Sequence, residues 1–250
     1  MTMQTPPRRV ALFVTCLVDQ FFPQVGESVV KVLRHLGVEV DFPPNQTCCG
    51  QPAFNSGFRR EARAAARHFL DAFKDAPLIV APSGSCASMV RVFYPSLFPD
   101  DPQRLSQARA LASRTYEFSQ FLVRVLGVTD IGARYANGLT VTYHDSCHSL
   151  RELGIRDEPR ALLQAVKGVR FVEFAHHEVC CGFGGTFSVK YAPISSAILQ
   201  DKLENIAHSG AQVLVATDSS CLMHMGGAMR RRGMQVRPMH IAQFLAEGLP

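Results

Sequence analysis

Four things are missing from this sequence, and each absence removes a class of function. No stretch approaches the ~18 consecutive apolar residues that a membrane-spanning helix needs. No G-x-G-x-x-G turn is present, so a nicotinamide cofactor is not expected. No C-x₂₋₄-C knuckle of the kind structural zinc favours occurs, and no ferredoxin-type C-x₂-C-x₂-C, so neither a zinc ribbon nor a ferredoxin relay is expected within the chain. Strong charge is also absent. The formal charge of +5 over 250 residues is mild, and its densest cluster, Arg230-Arg231-Arg232, has no interleaved aromatics, which argues against nucleic-acid binding. The N-terminus, Met1 to Arg9, carries two arginines and then only the short apolar run Val10–Val14. No small-residue cleavage site follows, so that run reads as a strand rather than a signal peptide, and a cytoplasmic location is expected.

What the sequence does have is cysteine in a pattern. A hydrophobic share of 47% and a charged share of 19% are those of an ordinary globular protein, with room for one large domain or two smaller ones. In a reducing compartment its eight cysteines read as metal ligands or redox groups rather than disulfides. Four of them form two adjacent pairs, Cys48-Cys49-Gly50 and Cys180-Cys181-Gly182. Neighbouring cysteines are poorly placed for a mutual disulfide, but a sharp bend after them lets both thiolates face one inorganic centre. The remaining four flank the pairs in the same order: Cys16 and Cys86 in the first half, Cys147 and Cys221 in the second. Cys16 and Cys147 differ by 131 in number, Cys48 and Cys180 by 132, and Cys86 and Cys221 by 135. Eight unrelated core cysteines would not produce two matched sets. Four thiolates per set suit zinc or an iron–sulfur centre.

The hydrophobic pattern repeats with the cysteines. Strands are expected at Val10–Val14, Val38–Phe42 and Leu78–Ala81, and again at Leu139–Tyr143, Val169–Phe174 and Val213–Ala216. Between them lie helices with Val29, Val32, Leu33 and Leu36 on one face, then Phe58–Lys74, Pro159–Val166 and Pro193–Ala207. A further helix carries Phe118, Phe121, Leu122 and Val125, after a proline-rich loop at Pro95–Pro102. Alternating strands and helices imply right-handed βαβ units and parallel sheets. The fold class expected is therefore α/β, with two tandem repeated lobes, each a small parallel sheet flanked by helices. The lobes are read as residues 9–126 and 139–250, with 127–138 as linker. Ligands of such sheets bind beyond the carboxyl ends of the strands, where all eight cysteines fall. A pseudo-two-fold relation is expected, with both thiol sets facing the region between the lobes.

This cysteine pattern resembles the cysteine-rich CCG domain that occurs twice in a subunit of heterodisulfide reductase and in the iron–sulfur subunits of glycolate and glycerol-3-phosphate dehydrogenases. It is more similar still to the lactate utilization protein A family. The strings that carry the likeness are Phe22-Pro23-Gln24-Val25-Gly26, Gln46-Thr47-Cys48-Cys49-Gly50-Gln51-Pro52-Ala53 and Pro82-Ser83-Gly84-Ser85-Cys86. In the second half they are Tyr143-His144-Asp145-Ser146-Cys147-His148, Cys180-Cys181-Gly182-Phe183-Gly184-Gly185 and Cys221-Leu222-Met223. The resemblance implies an iron–sulfur electron-transfer component of a complex oxidising L-lactate to pyruvate, acting with two partner proteins, one of them carrying ferredoxin-type clusters. It also implies a 4Fe-4S cluster on Cys147, Cys180, Cys181 and Cys221, with zinc or a second cluster on Cys16, Cys48, Cys49 and Cys86. Two alternatives stand beside it: a catalytic subunit binding substrate at an open iron, as in heterodisulfide reduction, and a zinc-stabilised scaffold for partner subunits. The sequence departs from the heterodisulfide-type motif, which ends in C-x-x-C. Here Ser83 and Asp218 stand three before Cys86 and Cys221, leaving four cysteines per half rather than five.

The surroundings of the two sets differ. His144, His148, His176, His177 and His224 all flank second-half cysteines, whereas the first half has none so placed. Its set is surrounded by Pro43, Pro44, Pro52, Phe54 and Pro82. A redox centre needs polar neighbours that respond to a change of charge, so the second set is expected to be the redox-active one and the first structural. Gly182, Gly184 and Gly185 would let backbone N–H groups approach cluster sulfurs. Arg151 and Lys190 are candidates for holding a carboxylate near the second set, against the alternative of solvated surface charge.

Overall fold

The structure, a computed structural model, describes residues 9–250; the residues before Arg9, on which part of the signal-peptide reading rests, lie outside them. The first half runs β1 (Arg9–Leu12), α1 (Cys16–Phe21), α2 (Pro23–His35), β2 (Glu39–Asp41), α3 (Gln51–Asn55), α4 (Arg59–Ala72), β3 (Ile79–Ala81), α5 (Gly84–Ser88), α6 (Pro102–Ser113), β4 (Thr115–Glu117) and α7 (Phe118–Gln120). The second runs β5 (Arg134–His144), α8 (Cys147–Arg151), α9 (Asp157–Ala165), β6 (Lys167–Phe171), α10 (Phe187–Lys190), α11 (Ala192–His208), β7 (Val213–Ala216), α12 (Ser219–Arg231), β8 (Arg237–His240) and α13 (Ile241–Glu247). Met89–Phe93 and Tyr94–Leu97 extend α5 as π and 3₁₀ turns, and Phe121–Val125 extends α7 as a π turn.

The sheets are ordered β2-β1-β3-β4 and β6-β5-β7-β8, with every neighbouring pair parallel. The fold is thus the α/β class with two repeated lobes. Each sheet has a fourth strand that the sequence pattern did not announce. β4 is only three residues long, and β8 contains Pro238, which is tolerated because the strand lies at the sheet edge. β5 begins at Arg134, within the stretch read as linker, because Tyr135 stacks on Phe244 at 4.8 Å and its hydroxyl donates to the Phe244 carbonyl at 2.9 Å. The expected loop at Pro95–Pro102 is a 3₁₀ turn running toward α6.

Amphipathic helices cover the sheets. Val25, Val29, Val32 and Leu33 form the buried face of α2, and Ala62, Ala66, Phe69 and Leu70 that of α4. The two lobes are not independent bodies. One hydrophobic cluster takes Val10, Leu12 and Val29 from the first half together with Val141, Tyr143 and Phe244 from the second. The terminal helices are exchanged: α13 packs on α2, with Lys31 Nζ donating to the Ala246 carbonyl at 2.8 Å, and the α7 extension packs on α9, where Arg124 pairs with Glu158. At roughly 1.5–3 kcal/mol per fully buried large side chain, this shared core fixes the relative position of the lobes. Among the described residues no helix is long and apolar enough to cross a membrane.

Candidate metal centre

Cys16 follows β1, Cys48-Cys49 follow β2 and Cys86 follows β3; Cys147, Cys180-Cys181 and Cys221 follow β5, β6 and β7. The loops after β1 and β3, and after β5 and β7, leave the sheet at the point where strand order reverses, the usual ligand crevice of an open parallel sheet. The shared core brings these edges together. All eight cysteines, each a free thiol, line one cavity of about 350 Å³ between the lobes. In the first set Cys16 Sγ lies 3.6 Å from Cys48 Sγ, and Cys49 Sγ lies 3.5 Å from Cys86 Sγ.

The glycine after each pair makes this geometry possible. Gly50 and Gly182 have φ of 83° and 88°, which only glycine adopts readily. A Cβ on Gly182 would lie 2.6 Å from the Ser195 carbonyl oxygen, and one on Gly50 would lie 3.0 Å from Ala65 Cβ. The bend turns each N–H onto the first sulfur of its own pair, Gly50 N to Cys48 Sγ at 3.4 Å and Gly182 N to Cys180 Sγ at 3.3 Å. The neighbouring thiols Cys16 and Cys49, with that N–H, hold Cys48 well below the ordinary thiol range, and Cys147, Cys181 and Gly182 do the same for Cys180. A thiolate is the form that binds metal.

The residues present fit a thiolate-ligated metal or iron–sulfur centre. Each set offers four soft donors, and in the second half buried polar atoms lack a hydrogen-bond partner among the described residues: both ring nitrogens of His144, Ser146 Oγ and Ser219 Oγ. His144, Cys181 and Cys221 have donor atoms within 4.8 Å of one another. Buried polar atoms are otherwise nearly always satisfied, so this cluster marks a place built around something further.

The two positions that lack the motif's fifth cysteine meet at the junction of the lobes. Ser83 and Asp218 form an isolated antiparallel bridge, and the buried Asp218 carboxylate accepts from Ser83 Oγ at 2.8 Å, Ser85 Oγ at 2.7 Å and Ser85 N at 3.0 Å. Burial, and then the charge of Cys221, push this carboxyl up to about 6. Nearby, Gly84 on α5 comes so close to Ser149 on α8 that a Cβ would lie 1.7 Å from its hydroxyl. These contacts tie Cys86 of one half to Cys147 and Cys221 of the other.

The halves differ behind the cysteines. Sheet register makes Phe13 equivalent to His144, since Leu12 pairs with Val80 as Tyr143 pairs with Val215. Phe13 meets Phe69 and Phe73 edge-on at 4.9 and 5.6 Å, and Tyr94 donates to the Cys49 carbonyl at 2.9 Å. The first set is therefore backed by aromatics rather than chiefly by the prolines. In the second half Asp145 accepts from both terminal nitrogens of Arg160, at 2.9 and 2.8 Å, and pairs with His177 Nδ1 at 2.6 Å. His224 Nε2 lies 3.3 Å from Ser195 Oγ, while His176 is exposed and left-handed at φ 56°. His148, which flanks Cys147 in the sequence, also reaches the first half: its Nε2 lies 3.4 Å from Gln51 Nε2 and its ring is edge-on to Phe93. Arg151 and Lys190 are exposed and do not line the cavity, so the carboxylate-holding role falls away. Sequence reasoning missed Arg160 and Lys202, and quoted Asp145 only as part of a motif string. For Lys202 a signal existed, a lysine in phase with Ser195, Leu199, Leu203 and Ile206 on the buried stripe of α11.

Comparison with known proteins agrees with the repeat. The family model described as "Cysteine-rich domain" matches residues 10–91 and 141–226. The chain is 50% identical over 242 residues to lactate utilization protein A of Exiguobacterium sp., covering 96% of this chain and 98% of that protein. It is 49% identical over 237 residues to lactate utilization protein A of Bacillus subtilis, covering 95% and 98%. A hypothetical protein from Helicobacter pylori shares the fold at a TM-score of 0.68 and 9% identity, over 98% of this chain and 49% of that one.

Proposed function

The chain belongs to the lactate utilization protein A family of double cysteine-rich-domain proteins, and on that basis we propose that it serves lactate utilization as an iron–sulfur electron-transfer component. The observation that carries this reading is the pair of four-thiol sets lining one cavity. When bound, an iron–sulfur cluster supplies one-electron acceptance and release. The chain's own residues supply thiolates at Cys48 and Cys180, N–H contacts from Gly50 and Gly182, and a rigid junction through Asp218. Oxidation of L-lactate to pyruvate releases two electrons and two protons. Among the described residues the cavity lining has no Lys or Arg, so it offers no permanent cation to pair with the lactate carboxylate beside two sets of thiolates. That favours hydroxy-acid chemistry on one of two partner proteins, another of which carries ferredoxin-type clusters onward. The second set, with His144 and the Asp145–Arg160–His177 network behind it, is the redox-active one, and the first, backed by aromatics, is structural.

The test is EPR of anaerobically purified chain, with iron, sulfide and zinc measured on the same sample, and the variants Cys181→Ser and Cys49→Ser. Iron and sulfide are expected, with the redox signal lost in Cys181→Ser and kept in a folded Cys49→Ser. The isolated chain should show no lactate turnover. Zinc without iron would favour a scaffold, and robust turnover by the isolated chain would favour a catalytic subunit.

A further inference from the structure

Lys202 is a buried charge that cysteine ligation by itself does not explain. It is 2% exposed, on the inner face of α11. Its Nζ donates to the carbonyls of His176 at 2.7 Å and His177 at 3.2 Å, in the turn before Cys180, and lies 5.0 Å from the Phe174 ring centroid. No carboxylate pairs with it among the described residues. Burial pushes it down to about 8, against the upward pull of Cys181, Cys180, Asp145 and Cys221, so it is still mostly charged at neutral pH. A buried ammonium without a counter-charge is costly. Thiolates carrying a metal centre would provide one.

Among its described residues the first half has no such buried lysine or arginine. Gly50 approaches Ala62 and Ala65 as Gly182 approaches Ser195 and Ile198, which places Phe69 of α4 where Lys202 stands on α11. The same aligned position is thus an aromatic ring behind one thiol set and a cation behind the other.

We propose that Lys202 tunes the second-half centre, its ammonium offsetting the negative charge that one-electron reduction adds and holding that centre at a higher reduction potential than a neutral residue there would allow. This rests on the reading that Cys147, Cys180, Cys181 and Cys221 hold a redox centre. One electron enters and no proton moves; the fixed cation only favours the more negative state.

The experiment is EPR-monitored potentiometric titration of the full chain, purified anaerobically, as wild type, Lys202→Met, Lys202→Gln and Lys202→Arg, with iron and sulfide measured on each. Met and Gln should shift the second-half couple to more negative potential, and Arg should restore it toward wild type. Any first-half couple should stay unmoved. Gln keeps an N–H donor for the two carbonyls, so a shift there separates charge from loop support. Failure of Met and Gln to load, with Arg loading, also supports the proposal, because the anionic centre then requires the cation. A loaded Gln variant with an unmoved couple overturns it, as does failure of all three variants to load, which would mean that Lys202 acts through packing. A wild-type chain with no redox couple at all overturns the underlying function, and this inference with it.

Discussion

Glu117→Gln probes how the exchanged helices are held. Glu117 is fully buried at the N-cap of α7, where Oε2 accepts from Gln120 N at 3.1 Å and from the Ser119 hydroxyl, while Oε1 has no partner among the described residues. Burial, only partly offset by those bonds, pushes the carboxyl from 4.5 up to about 7. A folded pKa above the unfolded one means that folding favours the protonated acid. Its stabilising contribution is complete below about pH 4.5 and is lost as pH rises through about 7. At 1.36 kcal/mol per unit the loss approaches roughly 3 kcal/mol, of which about 2.5 falls between pH 5 and pH 8. Glutamine has no charge to bury. Its carbonyl can keep both bonds, but its amide takes the place of Oε1 and leaves a donor unpaired, at about 1–2 kcal/mol. The variant should therefore be slightly less stable than wild type at pH 5 and more stable, by about 1–2 kcal/mol, at pH 8. His240, the equivalent cap on α13, titrates with the opposite sense. Burial lowers it from 6.5 to about 4, so its contribution is present above 6.5 and lost as pH falls through about 4, equally in both proteins. Urea unfolding of both proteins at the two pH values, with iron content checked, reads the difference. A change of the same sign and size at pH 5 and pH 8 would refute the assignment.

Two further substitutions address the site. Gly182→Ala must hold φ 88° with a Cβ 2.6 Å from a backbone oxygen, costing about 1–2 kcal/mol for the conformation alone, so iron per chain and melting temperature should both fall. Gly50→Ala, whose Cβ would meet Ala65 Cβ at 3.0 Å and the Ala62 carbonyl oxygen only at 3.3 Å, should lose less; equal loading by Gly182→Ala and wild type would contradict the role of the bend. Asp218→Ala takes the acceptor from three donors of Ser83 and Ser85, of which the two hydroxyls, 3.1 Å apart, can still bond each other, and should cost roughly 1–3 kcal/mol at pH 7, while Asp218→Asn should cost less. Thermal melts at matched metal content check this, and equal melting of the two variants would count against the junction.

The repeat, the class of fold and the eight cysteines with their glycines were legible in the amino-acid sequence alone. These are local properties: a strand of apolar residues, a helix with one apolar face and a CCG bend each leave a mark within a few residues of themselves. Ser83 and Asp218 were marked there too, as departures from a motif, and the second half as the more polar. How these pieces relate is a matter of long-range packing. That both thiol sets face the region between the lobes was expected from the repeat; that the lobes are locked together by exchange of α7 and α13 was not, because their apolar faces look alike whichever lobe they cover. Ser83 and Asp218 touch because they lie on equivalent loops at the junction of the lobes, a contact no spacing along the chain encodes. β4 and β8 were missed because a short edge strand gains its hydrogen bonds from a distant neighbour rather than from its own composition. The phase of Lys202 with Ser195, Leu199 and Ile206 marks it for the buried stripe of α11, but which groups its charge meets there is decided only by the packing of that helix against the turn before Cys180.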